Sequence, residues 1–289
     1  YHAVTMTAEL SDIFKNRKNG SKKIINTVCK IFSNKKIFFY NNLKFFVKKK
    51  EALKKNQNIN SMNWHASANF ISNFYRNCIF VDIGSSTTDI IPIKKNKIIV
   101  KGNNDHKRLT NNELIYSGVI RTPINAITKK LKLKKKQNLI NENFSNLGDV
   151  YRILNKLPKG SDLCPSLDKK SKTKHSSARR LARIFGKDYN KNQFKLWRKI
   201  SIKIEEKQKK ILKNNIEKIK KRNFKNSVPI ITAGVGEFLV KDIYKNKNCF
   251  SFYSKIKNIK KRKVINCESA ISVALLLRAF LKRKRSKSR

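Results

Sequence analysis

The feature that most limits how this chain can fold is a short apolar strand that ends in an acid and turns through glycine. Residues 78–82 are apolar up to a final carboxylate, and residues 84–86, Gly-Ser-Ser, follow as a tight turn. Residues 87–93 then return as a second strand that begins with two threonines, and residues 97–101 add a third. Short apolar runs around a Gly/Ser turn predict a hairpin, here at the start of a β-meander.

The turn has the composition of an anion-binding loop. A phosphate group needs several backbone N–H groups that converge on it, and a small residue such as Gly84 lets the backbone come close. Ser85, Ser86 and Thr87 add hydroxyl donors. The pattern alone leaves a second interpretation open, namely a plain β-hairpin with a polar turn.

Two acids flank this turn, and we predict both as catalytic carboxylates. Asp82 is also the predicted ligand of Mg²⁺, which prefers one or two carboxylates together with waters and phosphate oxygens. Asp89 lies on the returning strand, where it would orient the hairpin or a water. Glu113 and Asp149 are weaker candidates because a solvated carboxylate is the default interpretation, although acids are scarce here at 18 Asp and Glu.

A second glycine-containing turn follows another apolar run. Residues 230–233 are predicted as a strand that leads through Gly234 and Gly236 into a helix. Small residues between a strand and a helix leave room for a nucleotide or diphosphate at the helix N-terminus. The pattern alone is a weak signal, and an ordinary strand-to-helix turn is the simpler interpretation of it.

The formal net charge of +51 raises the question of nucleic-acid binding. The chain has 54 Lys against 15 Arg, and the lysines are spread through nearly every segment. A dedicated nucleic-acid surface would use more Arg, so we favour drift of exposed positions toward residues with AT-rich codons.

The five cysteines are scattered and form no C-x-x-C pair, which fits a reducing cytoplasm. The most apolar segment, residues 270–281, is too short to span a bilayer.

Several segments together resemble one family, and they occur in the family's order along nearly the whole chain. The segments are residues 1–12, 63–66, 80–93, 121–123, 142–144, 149–152, 177–183 and 233–236. They are similar to the hydantoinase/oxoprolinase-like proteins of the tetrahydromethanopterin-linked one-carbon transfer pathway, a branch of the actin-like ATPase group.

The resemblance implies an activity. Archaeal members of this family act in methanofuran biosynthesis, where they join γ-glutamyltyramine to the diphosphate ester of an aminomethylfuran and release pyrophosphate with Mg²⁺. On this resemblance, the diphosphate and the metal are held by Asp82, Gly84, Ser86, Thr87 and Thr88, and the far side of the site is lined by Gly234 and Gly236.

The resemblance also implies a two-lobed α/β fold of the actin-like, or ribonuclease-H-like, type. We expect residues 1–77 to form the first lobe with a crossing helix, residues 78–265 the second lobe, and residues 266–289 a return helix with a basic tail. Full-length members carry another Asp-Gly hairpin before the segment that matches Tyr1. We therefore expect an N-terminally truncated sequence with an incomplete first lobe.

Two other functions stay open at this stage. One is an actin-like ATPase or hydrolase that acts on a cyclic amide, as oxoprolinases do. The other is an inactive basic remnant that binds nucleic acid. The transferase interpretation predicts a small-molecule diphosphate as partner, with no specific nucleic acid and no membrane, in the cytoplasm. The oligomeric state is not predicted.

Overall fold

The computed structural model describes residues 1–33, 35–43, 45–132, 135–245, 247–256 and 267–287. The chain divides into two mixed α/β units. Unit 1 comprises Tyr1–Asn77, Ile93–Ile99 and the described part of Asn258–Arg289. Unit 2 comprises Cys78–Pro92 and the described part of Val100–Lys257.

The strands are short, and most are three to seven residues long. They are β1 (His2–Val4), β2 (Ile37–Asn41), β3 (Phe45–Val47), β4 (Asn77–Ile83), β5 (Thr88–Lys94), β6 (Lys97–Ile98), β7 (Leu114–Ile115), β8 (Lys130–Lys132), β9 (Lys136–Asn138), β10 (Ile230–Ala233) and β11 (Cys249–Ser251).

The helices range from one and a half turns to thirty residues. They are α1 (Arg17–Ile31), α2 (Lys49–Lys54), α3 (Asn63–Ser72), α4 (Asp105–Thr110), α5 (Leu147–Leu154), α6 (Lys174–Ile184), α7 (Phe194–Asn223), α8 (Glu237–Tyr244) and α9 (Glu268–Lys287).

Unit 1 is built on a three-stranded sheet in the order β1-β2-β3. Strand β1 is parallel to β2, and β2 is antiparallel to β3. The apolar side chains of Ile25 and Phe39 are buried together, which packs α1 against the sheet. Helices α3 and α9 also pack together, with the hydroxyls of Ser67 and Ser269 3.3 Å apart.

The end of unit 1 differs from the sequence prediction in one respect. The sequence predicts a return helix with a basic tail over residues 266–289, and α9 runs on into that basic tail as far as Lys287. Lys and Arg are good helix formers, so a basic run can extend a helix that has already begun. The boundary predicted between residues 265 and 266 lies outside the described residues. Among the described residues, no helix is long and apolar enough to cross a membrane.

Unit 2 is organised around a sheet in the order β11-β10-β4-β5, with β7 pairing to β5 as well. Strand β10 is parallel to both β4 and β11, and Ala233 is paired with Asp82. The carboxyl ends of β4 and β10 therefore meet at one edge of the sheet. The two glycine-containing turns predicted from the sequence both begin at that edge.

Helix α7 forms the longest part of the core of unit 2. Its buried face repeats every three or four residues, as expected for an amphipathic helix, and its apolar members are Trp197, Ile200, Ile204, Leu212, Ile216 and Ile219. Helices α5, α6 and α8 pack against α7. Gln208 occupies the position in this face between Ile204 and Leu212 and is completely buried.

The segment between α5 and α6 is a loop, as its Gly, Pro and Asp content predicts. Asp162 accepts a hydrogen bond from Arg152 at 2.7 Å, and Asp168 accepts one from Arg180 at 2.9 Å. Both arginines are nearly fully buried. The composition gives no sign of these ion pairs, which tie the segment to α5 and α6.

Candidate active site

The turn between β4 and β5 is held by its carbonyl groups. All four of its backbone carbonyls accept hydrogen bonds from within the protein. The pairs are Gly84 O with Val119 N at 3.1 Å, Ser85 O with Ile120 N at 3.0 Å and Arg121 N at 2.8 Å, Ser86 O with the Thr122 hydroxyl at 3.3 Å, and Thr87 O with Gly84 N at 2.9 Å. Residues 117–122 thus form a backing loop behind the turn.

The amide groups of the same turn behave differently. In the part of the chain that the structure describes, the N–H groups of Ser85, Ser86 and Thr87 make no hydrogen bond. A trans peptide places its N–H opposite its C=O, so these three amides point away from the backing loop. All three residues are partly exposed. Consecutive backbone amides on one side of a turn are the groups from which concave anion sites are built.

The backing loop approaches the turn so closely that only glycine fits at one position. A Cβ atom on Gly118 would lie 2.4 Å from both Ser85 C and Ser86 N. The amide of Gly118 donates to the hydroxyl of Thr122 at 2.8 Å, which fixes the loop internally. The backing loop therefore sets the orientation of the turn's peptide groups, and with it the direction of their N–H groups.

Thr88 supports the turn from its buried side. Its hydroxyl donates to Ser117 O at 2.6 Å, and its side chain is completely buried. The hydroxyl hydrogen is therefore used within the protein. The phosphate contact predicted for Thr88 stays a prediction.

Asp82 lies at the same edge of the sheet as the turn. Gly234 packs directly against it, with a φ of +81° that favours glycine. A Cβ atom at position 234 would lie 2.5 Å from Asp82 Oδ1 and 2.3 Å from Ile83 O. The absence of a side chain at Gly234 thus lets its backbone pack directly against the carboxylate. The predicted lining role of Gly234 stays a prediction, and its steric role is evident.

The residues at this edge fit a Mg²⁺ ion that is bound by one protein carboxylate and takes its other ligands from water and substrate. Among the described residues, no group of three or more His, Cys, Asp or Glu side chains forms a metal cage. Asp82 offers a carboxylate near the end of β4, two residues before Gly84, and Gly234 packs against it. Mg²⁺ commonly binds one or two carboxylates and completes its shell with water and substrate phosphate oxygens.

Gly236 is required by packing. Its amide donates to Ile83 O at 2.9 Å. A Cβ atom there would lie 2.4 Å from Ile83 Cγ2 and 2.8 Å from Val119 Cγ1, both of which belong to buried side chains. The amide is therefore engaged with β4, and the predicted lining of a diphosphate by Gly236 stays a prediction.

Asp89 forms a buried ion pair. Its carboxylate is 2.7 Å from Arg108 Nη2, and the same nitrogen donates to Glu113 O at 3.0 Å. Burial raises the pKa of Asp89, Arg108 opposes that rise, and Asp105 adds to it. The ion pair gives Asp89 a structural role that links β5 to α4 and the start of β7. Its catalytic role stays a prediction.

Glu113 and Asp149 are not the solvated carboxylates that the default interpretation expected. Both are buried, at 0% and 1% exposed. Glu113 accepts from the amides of Lys101 and Gly102 and from Arg222. Asp149 belongs to the capping box of α5, and it accepts hydrogen bonds from two arginines of α5 and α6. Hydrogen bonds within the protein engage both carboxylates, which gives each of them a structural role.

Sequence reasoning missed Gln208 and Tyr151, which support the backing loop from the core. Gln208 Nε2 donates to Ser117 Oγ and to Gly118 O, both at 3.0 Å, and Tyr151 donates its hydroxyl hydrogen to Gln208 Oε1. One signal was available, because Gln208 interrupts the apolar face of α7. A buried polar residue within an apolar stripe indicates a specific partner.

The segments that form the site are poor in basic residues. Residues 80–93, 117–124 and 230–240 contain one basic residue, Arg121, in a chain with 69 Lys and Arg. Its amide is bonded to Ser85 O, and its side chain is exposed. No ion pair of Arg121 is present among the described residues. The Arg121 backbone thus lies against the turn, and no carboxylate among the described residues engages its guanidinium.

Comparison with known proteins gives the family. Residues 1–275 match the hydantoinase/oxoprolinase family. Two archaeal relatives are each named (4-{4-[2-(gamma-L-glutamylamino)ethyl]phenoxymethyl}furan-2-yl)methanamine synthase. The Methanocaldococcus jannaschii protein is 34% identical over 253 residues, which cover 87% of this chain and 76% of the relative. The Methanococcus vannielii protein is 34% identical over 227 residues, which cover 76% of this chain and 100% of the relative. The chain therefore belongs to the hydantoinase/oxoprolinase family.

Proposed function

We propose that this protein is a transferase that joins the phenol oxygen of γ-glutamyltyramine to the methylene carbon of an aminomethylfuran diphosphate. The product would be the phenoxymethylfuran that the two archaeal relatives are named for making. The diphosphate as leaving group follows from the family resemblance. The three turn amides that follow Asp82 in the chain and make no hydrogen bond among the described residues are the observation that carries this proposal.

The turn supplies what a diphosphate leaving group needs. The amides of Ser85, Ser86 and Thr87 point to one side, and their carbonyls are fixed on the other. Donors that are oriented in advance stabilise developing negative charge without reorganising during the reaction. The turn would therefore stabilise the negative charge that the diphosphate gains as it leaves.

The proposed reaction forms one bond and breaks one bond at the same carbon. The phenol oxygen bonds to the furan-methyl carbon as the bond from that carbon to the diphosphate oxygen breaks. The electron pair of the broken bond leaves with pyrophosphate, and the phenol proton passes to solvent. The turn amides and Asp82 act on the leaving group.

Asp82 would be the protein carboxylate that holds Mg²⁺. When bound, the ion supplies charge neutralisation for the leaving group. The close packing of Gly234 positions the Asp82 carboxylate at the end of β4. Substitution of Asp82 is therefore expected to weaken pyrophosphate binding as well as turnover.

Arg121 would add the one protein cation that the site segments contain. Its amide is 2.8 Å from Ser85 O, so its long side chain begins next to the turn. A guanidinium binds phosphate oxygens through two parallel hydrogen bonds. We propose that Arg121 contacts the diphosphate from the rim of the site.

We also propose that the two units are the lobes of an actin-like, ribonuclease-H-like fold. In unit 2, a glycine-containing turn leads from the central strand β4 to β5, and β10 lies parallel beside β4. The turn therefore lies at the carboxyl edge of a partly parallel sheet, where ligands of open α/β sheets bind, and this position supports the proposal.

The direct test is an assay with both substrates and Mg²⁺. The parent protein should form the aryl ether and release one pyrophosphate for each ether, as followed by mass spectrometry and phosphate detection. Asp82→Asn should abolish most of this activity. Asp188→Asn is the matched control because Asp188 is an exposed acid elsewhere in unit 2, and it should retain parental activity.

Other outcomes would contradict the transferase. ATP hydrolysis that depends on 5-oxoproline, without ether formation, would support a hydrolase of the oxoprolinase type. DNA binding that persists at physiological salt, also without ether formation, would support a nucleic-acid-binding remnant. Nonspecific binding by a basic surface should weaken steeply as salt rises.

A further inference from the structure

A buried chain of hydrogen bonds runs from α5 through α7 to the backing loop. Tyr151 of α5 bonds to Gln208 Oε1, and Gln208 Nε2 bonds to Ser117 Oγ and Gly118 O. Ser117 O in turn accepts from the Thr88 hydroxyl at 2.6 Å. Each of these residues that carries a polar side chain is at most 2% exposed. The chain of bonds thus ends at the first residue of β5, directly after the turn.

Gln208, at the centre of this polar chain, lies on a face of α7 that is mainly apolar. Gln208 lies between Ile204 and Leu212 on the buried face of α7. A buried amide is costly unless its donors and acceptor are bonded. Both hydrogens of Gln208 Nε2 have acceptors, and Oε1 receives the Tyr151 hydroxyl. A leucine would fill the stripe more simply, so core packing alone does not account for glutamine here.

The bonded atoms belong to the part of the backing loop that determines how the turn is held. Ser117 and Gly118 precede Val119, Ile120 and Arg121, whose amides bind the turn carbonyls. A shift of Ser117 and Gly118 would move those amides and rotate the turn peptides. The N–H groups of residues 85–87 would then no longer point together away from the backing loop.

We infer that Gln208 and Tyr151 are positioning residues for the anion-binding turn, an inference that rests on the proposed function. They touch no substrate. They fix the backing loop from the core, and the loop fixes the orientation of the turn amides. The apolar anchors Val119 and Ile120, which are 0% and 2% exposed, keep the loop in place but do not select its peptide orientation.

Tyr151→Phe and Tyr244→Phe form a matched pair for the test. Both remove a hydroxyl that donates to a side chain of α7, since Tyr244 donates to Glu217 at 2.8 Å. Only the Tyr151 bond leads to the backing loop. The first measurement is hydrogen exchange of residues 84–88 and 117–122 in the full chain without ligand. The second is the affinity for pyrophosphate with Mg²⁺, measured by calorimetry.

We expect Tyr151→Phe to speed exchange in both segments and to weaken pyrophosphate binding by about tenfold, in line with the loss of one buried hydrogen bond. Tyr244→Phe should leave both quantities within about twofold of the parent. Gln208→Leu should have a larger effect than Tyr151→Phe. Combining Gln208→Leu with Ser117→Ala should cost less than the sum of the two single changes, because the two residues share one bond.

Equal exchange and equal affinity in Tyr151→Phe and Tyr244→Phe would overturn the positioning role. Equal losses in both would also overturn it, because they would show a general effect on the fold. Failure of the proposed function looks different. In that case no ether would form, or the parent would bind no pyrophosphate, whereas the exchange difference between the two variants would still report on the backing loop.

Discussion

The two glycine-containing turns of unit 2 look alike in sequence, yet their glycines serve different purposes. At the β4–β5 turn, a Cβ atom on Gly84 would meet nothing closer than Thr87 O at 3.6 Å. At the β10–α8 turn, Cβ atoms on Gly234 and Gly236 would come within 2.3–2.4 Å of Ile83. The first turn leaves its amides open, and the second is pressed against a strand.

The difference shows that small residues after a strand can serve two structural purposes. A turn that binds an anion needs free amides and space on their side. A turn that packs against a neighbouring strand needs glycine so that backbones can approach. The hydrogen bonds distinguish the two, because the Gly236 amide is bound to Ile83 O and the Ser85, Ser86 and Thr87 amides have no partner among the described residues.

The strongest expected effect is on the chemistry at the first turn. Asp82→Ala should lower kcat/KM for ether formation by about a thousandfold, or ~4 kcal/mol, because the leaving group loses its metal-binding carboxylate. Stability in urea should change little. If this variant had the same kcat/KM as the parent, the reaction could not be assigned to the β4–β5 turn.

The next effect distinguishes the two turns by stability. Gly234→Ala should reduce the free energy of unfolding by about 3 kcal/mol, because position 234 has a positive φ and its Cβ would overlap Ile83 O. Gly84→Ala should change it by less than about 1 kcal/mol, because nothing crowds that Cβ. Urea unfolding of both variants provides the measurement, and similar losses would remove the distinction.

A smaller effect concerns the threonines next to each turn. Thr88→Val should cost about 2 kcal/mol of stability, because Ser117 O would lose its buried donor. It should also weaken pyrophosphate binding. Thr232→Val is the matched change beside the second turn, where the hydroxyl makes longer bonds of 3.3–3.4 Å. It should leave pyrophosphate affinity unchanged, and equal losses of affinity would contradict the comparison.

The smallest expected effect is that of low pH on the free energy of unfolding, and it should come from the loop between α5 and α6 and not from either turn. Burial raises the pKa of Asp162, but hydrogen bonds and charge from Arg152 and Lys172 outweigh it and hold the pKa below its usual value. A carboxylate of this kind stabilises the fold above its unfolded pKa of about 3.9, and the contribution is lost as pH falls through the folded pKa.

Asp162→Asn should therefore flatten the fall of stability below about pH 4. The flattening should be about 1 kcal/mol or less, since such pairs near the surface are weak. Thermal unfolding at several pH values measures it. A profile identical to the parent's would show that the loop ion pairs do not contribute to acid sensitivity.

The sequence was sufficient to find the β4–β5 turn and Asp82, because both follow from local order along the chain. It could not find the partners of the turn carbonyls, which lie about thirty residues away in residues 117–122. The pairing of Asp89 with Arg108 was equally hidden. Gln208 is 91 residues from Ser117, and only its place in an apolar stripe marked it. Contacts set by tertiary packing have no local signature.

The most direct test of the account is a titration of the isotopically labelled protein with Mg²⁺ and pyrophosphate, followed by NMR. The account predicts that the largest shifts of amide resonances occur at Ser85, Ser86 and Thr87, that Gly236 shifts little, and that Asp82→Ala abolishes the response. Unshifted turn amides at saturating pyrophosphate, or shifts centred on the β10–α8 turn, would contradict it.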